Sequence, residues 1–273
     1  MANESFATIE TATEQGVRIL RLNRPERLNA WTYQMGRELA QAVAAANEDE
    51  AVLGIVVTGN GRGFCAGADI EAVFKAQADG DSSRGNEATG DDPVGRWVEQ
   101  LRASKPIAAA INGAAIGVGL TQVLPMDYLL ASPEAKLSVR FVQMGLVPEL
   151  ASSHFLAARL GFGAAAELML TGRPVSGAAA RQKGLIDRLV PAAELVDEAV
   201  SVVAGMGRNP LLALRHTKAL LTANATATDL DAVQHRELAA LAECYQSAEH
   251  HEAIAAFMEK RAPDFAKARE RDR

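Results

Sequence analysis

One glutamate and two glycine-rich turns carry the groups in this sequence that are best suited to proton chemistry. Glu149 comes directly after Pro148 and before an apolar segment of helical character. The two turns, at 63–69 and 112–121, each follow an apolar run and each lead into a segment that starts as a helix. Turns of this kind leave backbone N–H groups without helical partners, and two such donors form an oxyanion hole. The pattern therefore indicates a site that stabilises a developing negative charge.

The residues alone allow two interpretations of Glu149. A carboxylate in the first turn of a helix complements the helix dipole and stabilises it by a few tenths of a kcal/mol. A carboxylate beside a reacting carbon instead exchanges protons with it. Local sequence leaves both interpretations open.

Composition indicates one large domain, or one domain with a helical extension. The chain has 273 residues, is 48% apolar and carries a net charge of −6, so nucleic acid and anionic membranes are not expected as partners. No apolar run approaches the roughly 18 residues that suggest a membrane span. The segment Met1–Ser5 lacks the basic and apolar regions of a secretion signal. The expected location is the cytoplasm.

Three other groups of reactive side chains have simpler structural interpretations. Cys65 and Cys244 have neither the number nor the spacing of a disulfide framework or a metal site, and Cys65 is interpreted as a small apolar residue in a tight turn rather than a nucleophile. Adjacent His250 and His251 do not share a helix face, so no metal site is predicted. The run at 152–154, Ser-Ser-His, suggests a serine hydrolase. However, a serine next to a histidine in sequence does not have the geometry of a catalytic triad, and no Gly-x-Ser-x-Gly elbow occurs.

Short strands alternate with turns and helices up to about residue 190, and helices dominate the rest. The polar, Gly- and Asp-rich stretch Asp79–Gly95 is predicted to be a loop. Strands are predicted at Phe6–Glu10, Val17–Leu22, Leu53–Thr58, Pro106–Ile111 and Asp127–Ala131. Helices are predicted at Asn29–Asn47, Ile70–Ala78, Trp97–Ala103, Ala164–Leu170, Ala178–Lys183, Leu195–Met206, Leu211–Leu221, Leu230–Ala242 and Glu249–Lys260.

Three motifs together resemble those of the crotonase, or enoyl-CoA hydratase/isomerase, superfamily. They lie at Leu22–Ala30, Gly63–Ile70 and Lys105–Gly113. Further matches at Leu170–Arg173, Gly184–Asp187 and Phe257–Arg261 extend the resemblance over nearly the whole chain.

The resemblance implies an α/β fold in which repeated ββα units stack as a spiral. Residues 1–195 would form this core with the CoA site and oxyanion hole, and residues 196–273 would form a C-terminal helical region that mediates assembly. The implied assembly is a homotrimer or a dimer of trimers.

The resemblance also assigns the chemistry. It implies that the backbone N–H groups of Ala68 and Val118 form the oxyanion hole and that Glu149 is the acid/base. Familiar hydratases carry two glutamates, which align with Thr121 and Phe141 here. The sequence is therefore closest in motif to single-glutamate Δ3,Δ2-enoyl-CoA isomerases, which shift a double bond from 3-enoyl-CoA to 2-enoyl-CoA. A hydratase that uses Glu149 alone and a non-catalytic acyl-CoA-binding protein are the alternatives.

The CoA contacts are likewise implied by the resemblance. From chemistry alone, Arg24–Arg27 is a solvated turn, whereas in the family this loop wraps the CoA moiety. The family's Phe-x-x-Lys motif reaches into a neighbouring subunit, where the lysine meets the CoA phosphates. CoA is part of the substrate, so no separate cofactor and no metal are expected. The implied CoA-binding residues are Arg27, Leu28, Ala30, Ala66, Asp69, Ile70, Phe257 and Lys260.

Overall fold

In the computed structural model, residues 6–75 and 94–270 are described, and their strands form two mostly parallel sheets. The strands, in chain order, are Ile9–Glu14 (β1), Val17–Leu22 (β2), Gly54–Gly59 (β3), Gly63–Cys65 (β4), Ile107–Ile111 (β5), Ala114–Ile116 (β6), Tyr128–Ala131 (β7), Lys136–Ser138 (β8), Val175–Ser176 (β9) and Arg188–Leu189 (β10). The larger sheet has the order β1-β2-β3-β5-β7-β10, and the smaller has the order β4-β6-β8-β9. Only the β1–β2 and β8–β9 pairs among these strands are antiparallel.

Eleven α-helices are described in these parts of the chain. They are Tyr33–Glu48 (α1), Trp97–Ala103 (α2), Val118–Thr121 (α3), Ser152–Leu160 (α4), Phe162–Thr171 (α5), Gly177–Lys183 (α6), Leu195–Gly207 (α7), Leu211–Asn224 (α8), Leu230–Gln246 (α9), Ala248–Glu259 (α10) and Phe265–Glu270 (α11). A π-helical segment, Ile70–Lys75, and two short 3₁₀ turns complete the elements.

Successive strands alternate between the two sheets. The chain runs from β3 to β4, from β5 to β6 and from β7 to β8, and each pair is followed by a helical segment. The repeat of strand, strand and helix confirms the predicted ββα spiral. Because β4 and β6 are neighbouring parallel strands, the turns that follow them lie at the same edge of the smaller sheet.

The larger sheet is covered on both faces, which explains the uninterrupted apolar runs of β3 and β5. Ile55 and Val57 pack on the face that α1 covers, together with Met35 and Leu39. Val56 points to the opposite face and packs against α7. Helix α7 contributes Leu195, Ala199, Val200, Val203 and Ala204 to that second core. Thus the first helix of the C-terminal region is packed on the sheet, and the predicted division at residue 195 stays a prediction.

Helix α1 starts later than predicted. It begins at Tyr33 instead of Asn29, because the Thr32 side chain accepts a hydrogen bond from the Met35 N–H and forms the N-cap. Leu28 and Asn29 have positive φ angles of 51° and 56°, which a helix does not permit. The prediction of a helix over Asn29–Asn47 was therefore wrong in its first turn.

Other boundaries differ as well. Strand β1 spans Ile9–Glu14 rather than Phe6–Glu10, and helix α9 continues to Gln246 instead of ending at Ala242. The predicted helix at Ile70–Ala78 is π-helical as far as Lys75. Residues 76–78 of that prediction, and residues 79–93 of the predicted loop, lie outside the described residues. Among the described helices, none has the length and apolar character needed to cross a bilayer.

Candidate active site

A cavity of about 740 Å³ lies between the two glycine turns and the loop that precedes α4. Its walls are mainly apolar and aromatic. Among the described residues that line it, Arg140 and Glu149 are the charged ones. The apolar lining includes Trp31, Tyr33, Leu39, Val73, Trp97, Ile116, Phe141, Met144, Leu146 and Val147. Such a cavity suits an apolar chain with a small number of polar groups placed against it.

The two predicted oxyanion donors both line this cavity. Ala68 follows Gly67, which has a φ of +106°, and Val118 follows Gly117, which has a φ of +55°. These left-handed conformations explain why each turn needs glycine at that point. The structure therefore brings Ala68 and Val118, 50 positions apart in the sequence, to the same cavity.

The N–H groups of these two residues are available for a ligand. Trp31 donates its N–H to the Gly67 carbonyl and accepts from the Asp69 N–H, both at 2.8 Å, so the intervening Ala68 N–H points away from Trp31. Val118 is the first residue of α3, where an N–H has no helical acceptor. Within the described parts of the chain, neither N–H donates to a backbone or side-chain acceptor. Both N–H groups are therefore able to donate to an acceptor within the cavity.

Glu149 lies in the loop before α4, not in that helix's first turn. The helix begins at Ser152, and Leu150 and Ala151 have positive φ angles of 57° and 53°. The side chain of Glu149 turns instead toward the cavity, where Oε1 accepts a hydrogen bond from Thr121 Oγ1 at 3.1 Å. Glu149 therefore does not act by complementing the dipole of α4, and its side chain contacts α3 instead.

Two effects act on the pKa of Glu149. Burial among the cavity walls raises the pKa, and the hydrogen bond from Thr121 opposes that rise. The net direction is upward. Glu149 is nevertheless exposed as a whole residue, and it lines the open cavity, which is where a substrate carbon would approach. A raised pKa and an accessible oxygen suit a group that accepts and returns a proton.

Thr121 is a site residue that sequence reasoning missed. From the sequence, Thr121 was notable, like Phe141, only as a position that lacks the acid of familiar hydratases. In the structure Thr121 is fully buried and contacts Glu149, while Phe141 is 9% exposed and lines the cavity. A hydroxyl three residues after the predicted donor Val118 was the available signal, because residues at i and i+3 share a helix face.

The sequence match decides the family. The family model described as enoyl-CoA hydratase/isomerase matches residues 12–268. The chain belongs to this family. It is accordingly an enzyme of the crotonase superfamily, and an acyl-CoA substrate is consistent with that membership.

Relatives of this crotonase match it over almost its full length. The 1,2-epoxyphenylacetyl-CoA isomerase of Escherichia coli K12 is 32% identical over 92% of this chain and 95% of its own. The 2,3-dehydroadipyl-CoA hydratase of the same organism is 30% identical over 92% of this chain and 96% of its own. The crystal structure of an enoyl-CoA hydratase from Polaromonas sp. JS666 superposes with a TM-score of 0.84, at 27% identity over 94% of this chain and 98% of that one.

The first group of predicted CoA-binding residues lies close to the oxyanion turn of this crotonase. The Leu28 carbonyl accepts a hydrogen bond from the Ala66 N–H at 3.0 Å, which ties the Leu22–Ala30 loop to the turn. Ala66 and Ile70 line the cavity, and Ile70 is 65% exposed. The Ala30 carbonyl accepts from Arg24 within the same loop.

The charged members of that group already have protein partners. Arg27 is largely exposed and lies 3.6 Å from Glu71, so its guanidinium remains available to a ligand. Asp69 is buried and pairs with Arg24 at 2.9 Å, which holds the pKa of Asp69 below its usual value against the effect of burial. The side chain of Asp69 therefore stabilises the loop. Its role as a CoA contact stays a prediction.

Phe257 and Lys260 do not line the cavity of their own chain. Phe257 is 82% exposed on α10, and Lys260 ends that helix with a φ of 54°. A role in CoA binding requires a neighbouring subunit, as the resemblance implies. These two assignments stay predictions.

The other reactive side chains are held in structural contacts. Cys65 is fully buried in β4, and burial raises its pKa to about 11, so it is a protonated core residue at neutral pH. Ser152 is buried at the start of α4, and the His154 ring stacks edge-on against Phe155. This arrangement does not form a nucleophile and base pair.

Proposed function

We propose that this enzyme converts 3-enoyl-CoA into 2-enoyl-CoA with Glu149 as its only acid/base group. One observation carries the proposal: of the described residues that line the cavity, Glu149 is the one carboxylate. Moving a double bond needs one group that removes a proton and returns it two carbons away. Glu149 lies in the same cavity as the two N–H groups that would bind the thioester oxygen.

The reaction proceeds in two proton transfers. Glu149 removes a proton from C2, and the C–H electron pair moves into the C1–C2 bond as negative charge develops on the thioester oxygen. The N–H groups of Ala68 and Val118 donate to that oxygen and lower the barrier by roughly 3 kcal/mol each. The carboxyl group then gives its proton to C4, and the electrons return to leave the double bond between C2 and C3.

Hydration places an additional demand on the site. A water molecule has to be activated on one side and a proton delivered on the other, which is commonly the work of two carboxylates. Here Thr121 offers a hydroxyl whose hydrogen bond goes to Glu149, and Phe141 offers an apolar ring. These residues favour isomerisation over hydration. The relatives' names include both an isomerase and a hydratase, so the names alone do not choose between the reactions.

The rest of the reaction complex follows from the same proposal. CoA enters as part of the substrate, and both proton transfers need only the carboxylate and two backbone donors, so no further cofactor and no metal are required. Arg27 of one subunit and Lys260 of its neighbour would meet the nucleotide end of CoA in a trimer or a dimer of trimers.

Product analysis tests the proposed reaction. The purified enzyme is offered 3-enoyl-CoA and 2-enoyl-CoA in parallel, and products are separated by chromatography and identified by mass. Formation of 2-enoyl-CoA from the first substrate, much faster than 3-hydroxyacyl-CoA from the second, supports isomerisation. Hydration that is much faster than isomerisation would assign the enzyme to the hydratases and leave Glu149 as its acid/base.

A further inference from the structure

The Thr121 hydroxyl makes the contact that best explains how Glu149 is held. Thr121 is fully buried, and its Oγ1 lies 3.1 Å from Glu149 Oε1 across 28 positions of sequence. An ionised carboxylate only accepts hydrogen bonds, so the hydroxyl is the donor. Among the described residues, no other side chain is hydrogen-bonded to Glu149.

This hydrogen bond gives the two carboxylate oxygens of Glu149 different roles: Oε1 is held in place, and Oε2 stays free to react. A glutamate has a long, flexible side chain, and one that faces an open cavity samples several rotamers. Fixing Oε1 on a buried hydroxyl removes much of that freedom. Among the described residues Oε2 has no hydrogen-bond partner, so it is the oxygen left to exchange a proton.

Helix α3 links the base to the oxyanion hole. Val118 and Thr121 lie three residues apart on this single turn, so the Val118 N–H and the Thr121 hydroxyl keep a constant spacing. Because Thr121 holds Glu149, the position of the base relative to the Val118 N–H is fixed as well. The distance between the oxyanion donor and the proton acceptor is thereby set by one rigid element.

We propose that Thr121 is a positioning residue, whose hydroxyl holds Glu149 Oε1 so that Oε2 exchanges the proton with C2 and C4 of the substrate. The inference rests on the proposed function in one respect, which is that Glu149 exchanges the proton. In the first transfer the C2–H bond breaks and the Oε2–H bond forms. In the second the Oε2–H bond breaks and the C4–H bond forms.

The test compares four residues at position 121 by the pH dependence of kcat/KM. Thr121→Val keeps the shape and removes the donor, Thr121→Ser keeps the donor, and Thr121→Cys keeps a weaker one. The hydroxyl stabilises the ionised carboxylate, so Thr121→Val should raise the pKa of Glu149 and move the acidic limb of the profile to higher pH. Its plateau should fall about tenfold, with KM nearly unchanged. Thr121→Ser should restore both, and Thr121→Cys should lie between.

The outcomes separate this inference from the proposed function. Thr121→Val with the wild-type midpoint and plateau overturns the positioning role. If Thr121→Val does not fold, Thr121→Cys and Thr121→Ser are compared instead. Identical pH profiles for these two variants would also overturn the positioning role of Thr121. Glu149→Gln is measured in the same assay: near wild-type turnover in that variant would remove the proposed function itself. A structural role alone would reduce the yield of folded protein without moving the pH midpoint.

Discussion

Glu149 and Thr121 show how one ionisable group acquires its chemistry from its surroundings. Burial destabilises the charged form of the carboxylate, while the neighbouring hydroxyl stabilises it. The balance leaves the pKa above the ordinary value for glutamate. A carboxylate with a raised pKa is a stronger base, so it removes a proton from carbon more readily than a fully solvated carboxylate does.

Replacing Glu149 by Gln should remove the reaction and retain binding. The amide keeps the size of the side chain but does not accept a proton, so kcat should fall by roughly 10²- to 10⁴-fold. Turnover of 3-enoyl-CoA measures the loss, and calorimetry with a non-reactive acyl-CoA measures binding.

The matched control for this substitution is Glu134→Gln. Glu134 is exposed and does not line the cavity, so its loss of charge should leave turnover unchanged. Equal turnover in Glu149→Gln and Glu134→Gln would contradict the role given to Glu149.

Cys65 provides a second prediction, because its thiol is buried and its pKa is raised to about 11. The thiolate is the reactive form, so Cys65 should not react with a thiol reagent in the folded protein. In a Cys244→Ser variant, no labelling is expected until the protein is unfolded in guanidinium chloride, when one thiol should react. Rapid labelling of the folded variant would reopen the interpretation of Cys65 as a nucleophile.

At the scale of the elements, α3 packs closely against β4. A Cβ atom on Gly119 would lie 2.2 Å from the Cys65 carbonyl oxygen, a distance that real Cβ atoms do not show. Helix α3 therefore approaches β4 as closely as it does because glycine occupies this position. The same approach sets the Val118 N–H beside the turn that carries Ala68.

Gly119→Ala should push α3 away from β4 and impair catalysis more than binding. Misplacing reacting groups by about 1 Å can cost roughly 10²-fold in rate, and we expect a fall in kcat of that order. Steady-state kinetics measures the effect, and circular dichroism verifies folding.

Gly205→Ala in α7 is the comparison variant. A Cβ there meets nothing within 4 Å, so activity should be retained and the free energy of unfolding should rise by about 0.5–1 kcal/mol. Wild-type kinetics in a folded Gly119→Ala variant would show that α3 can shift without effect on the site.

At the level of the whole molecule, the C-terminal helices expose many large apolar side chains. Soluble monomers rarely present extensive apolar patches, so these residues are expected to be covered by other copies of the chain. Helix α7 is excluded from this set, because its apolar face is already buried on the larger sheet. The exposed apolar residues of α8 to α10 include Leu221, Leu230, Leu238, Leu241, Tyr245, Ile254, Phe257 and Met258.

Phe257→Asp should dissociate the expected trimer or dimer of trimers. An aspartate at a subunit contact would have to be desolvated without a partner, which strongly opposes association. Sedimentation velocity should show smaller species, and CoA affinity should fall with dissociation because Lys260 would no longer reach a neighbouring site.

The control for charge is His251→Asp, which places an aspartate at an exposed polar position of the same helix. It should leave the sedimentation coefficient unchanged. A wild-type protein that sediments as a monomer, or a Phe257→Asp variant that sediments like the wild type, would argue against assembly through α10.

Local sequence predicted most of the strands and helices, and the resemblance to the family predicted how they stack. Buried strands were recognised from apolar runs, and the two oxyanion turns from glycines that follow them, because strand burial and left-handed backbone conformations are short-range preferences. The family motifs extended this to Glu149. The predicted start of α1 was nevertheless wrong by one turn. The N-cap at Thr32 and the left-handed conformations of Leu28 and Asn29 make the helix begin later than its composition suggests.

Tertiary packing decided the rest. Thr121 appeared in the sequence only as a position without an acid, and its contact with Glu149 exists because β4 and β6 pair side by side and set α3 against the loop before α4. Packing also assigned α7 to the larger sheet, although its apolar pattern resembles that of the helices that follow. Contacts between residues distant in sequence depend on how whole elements meet, and no local preference encodes which side chain will lie across from another.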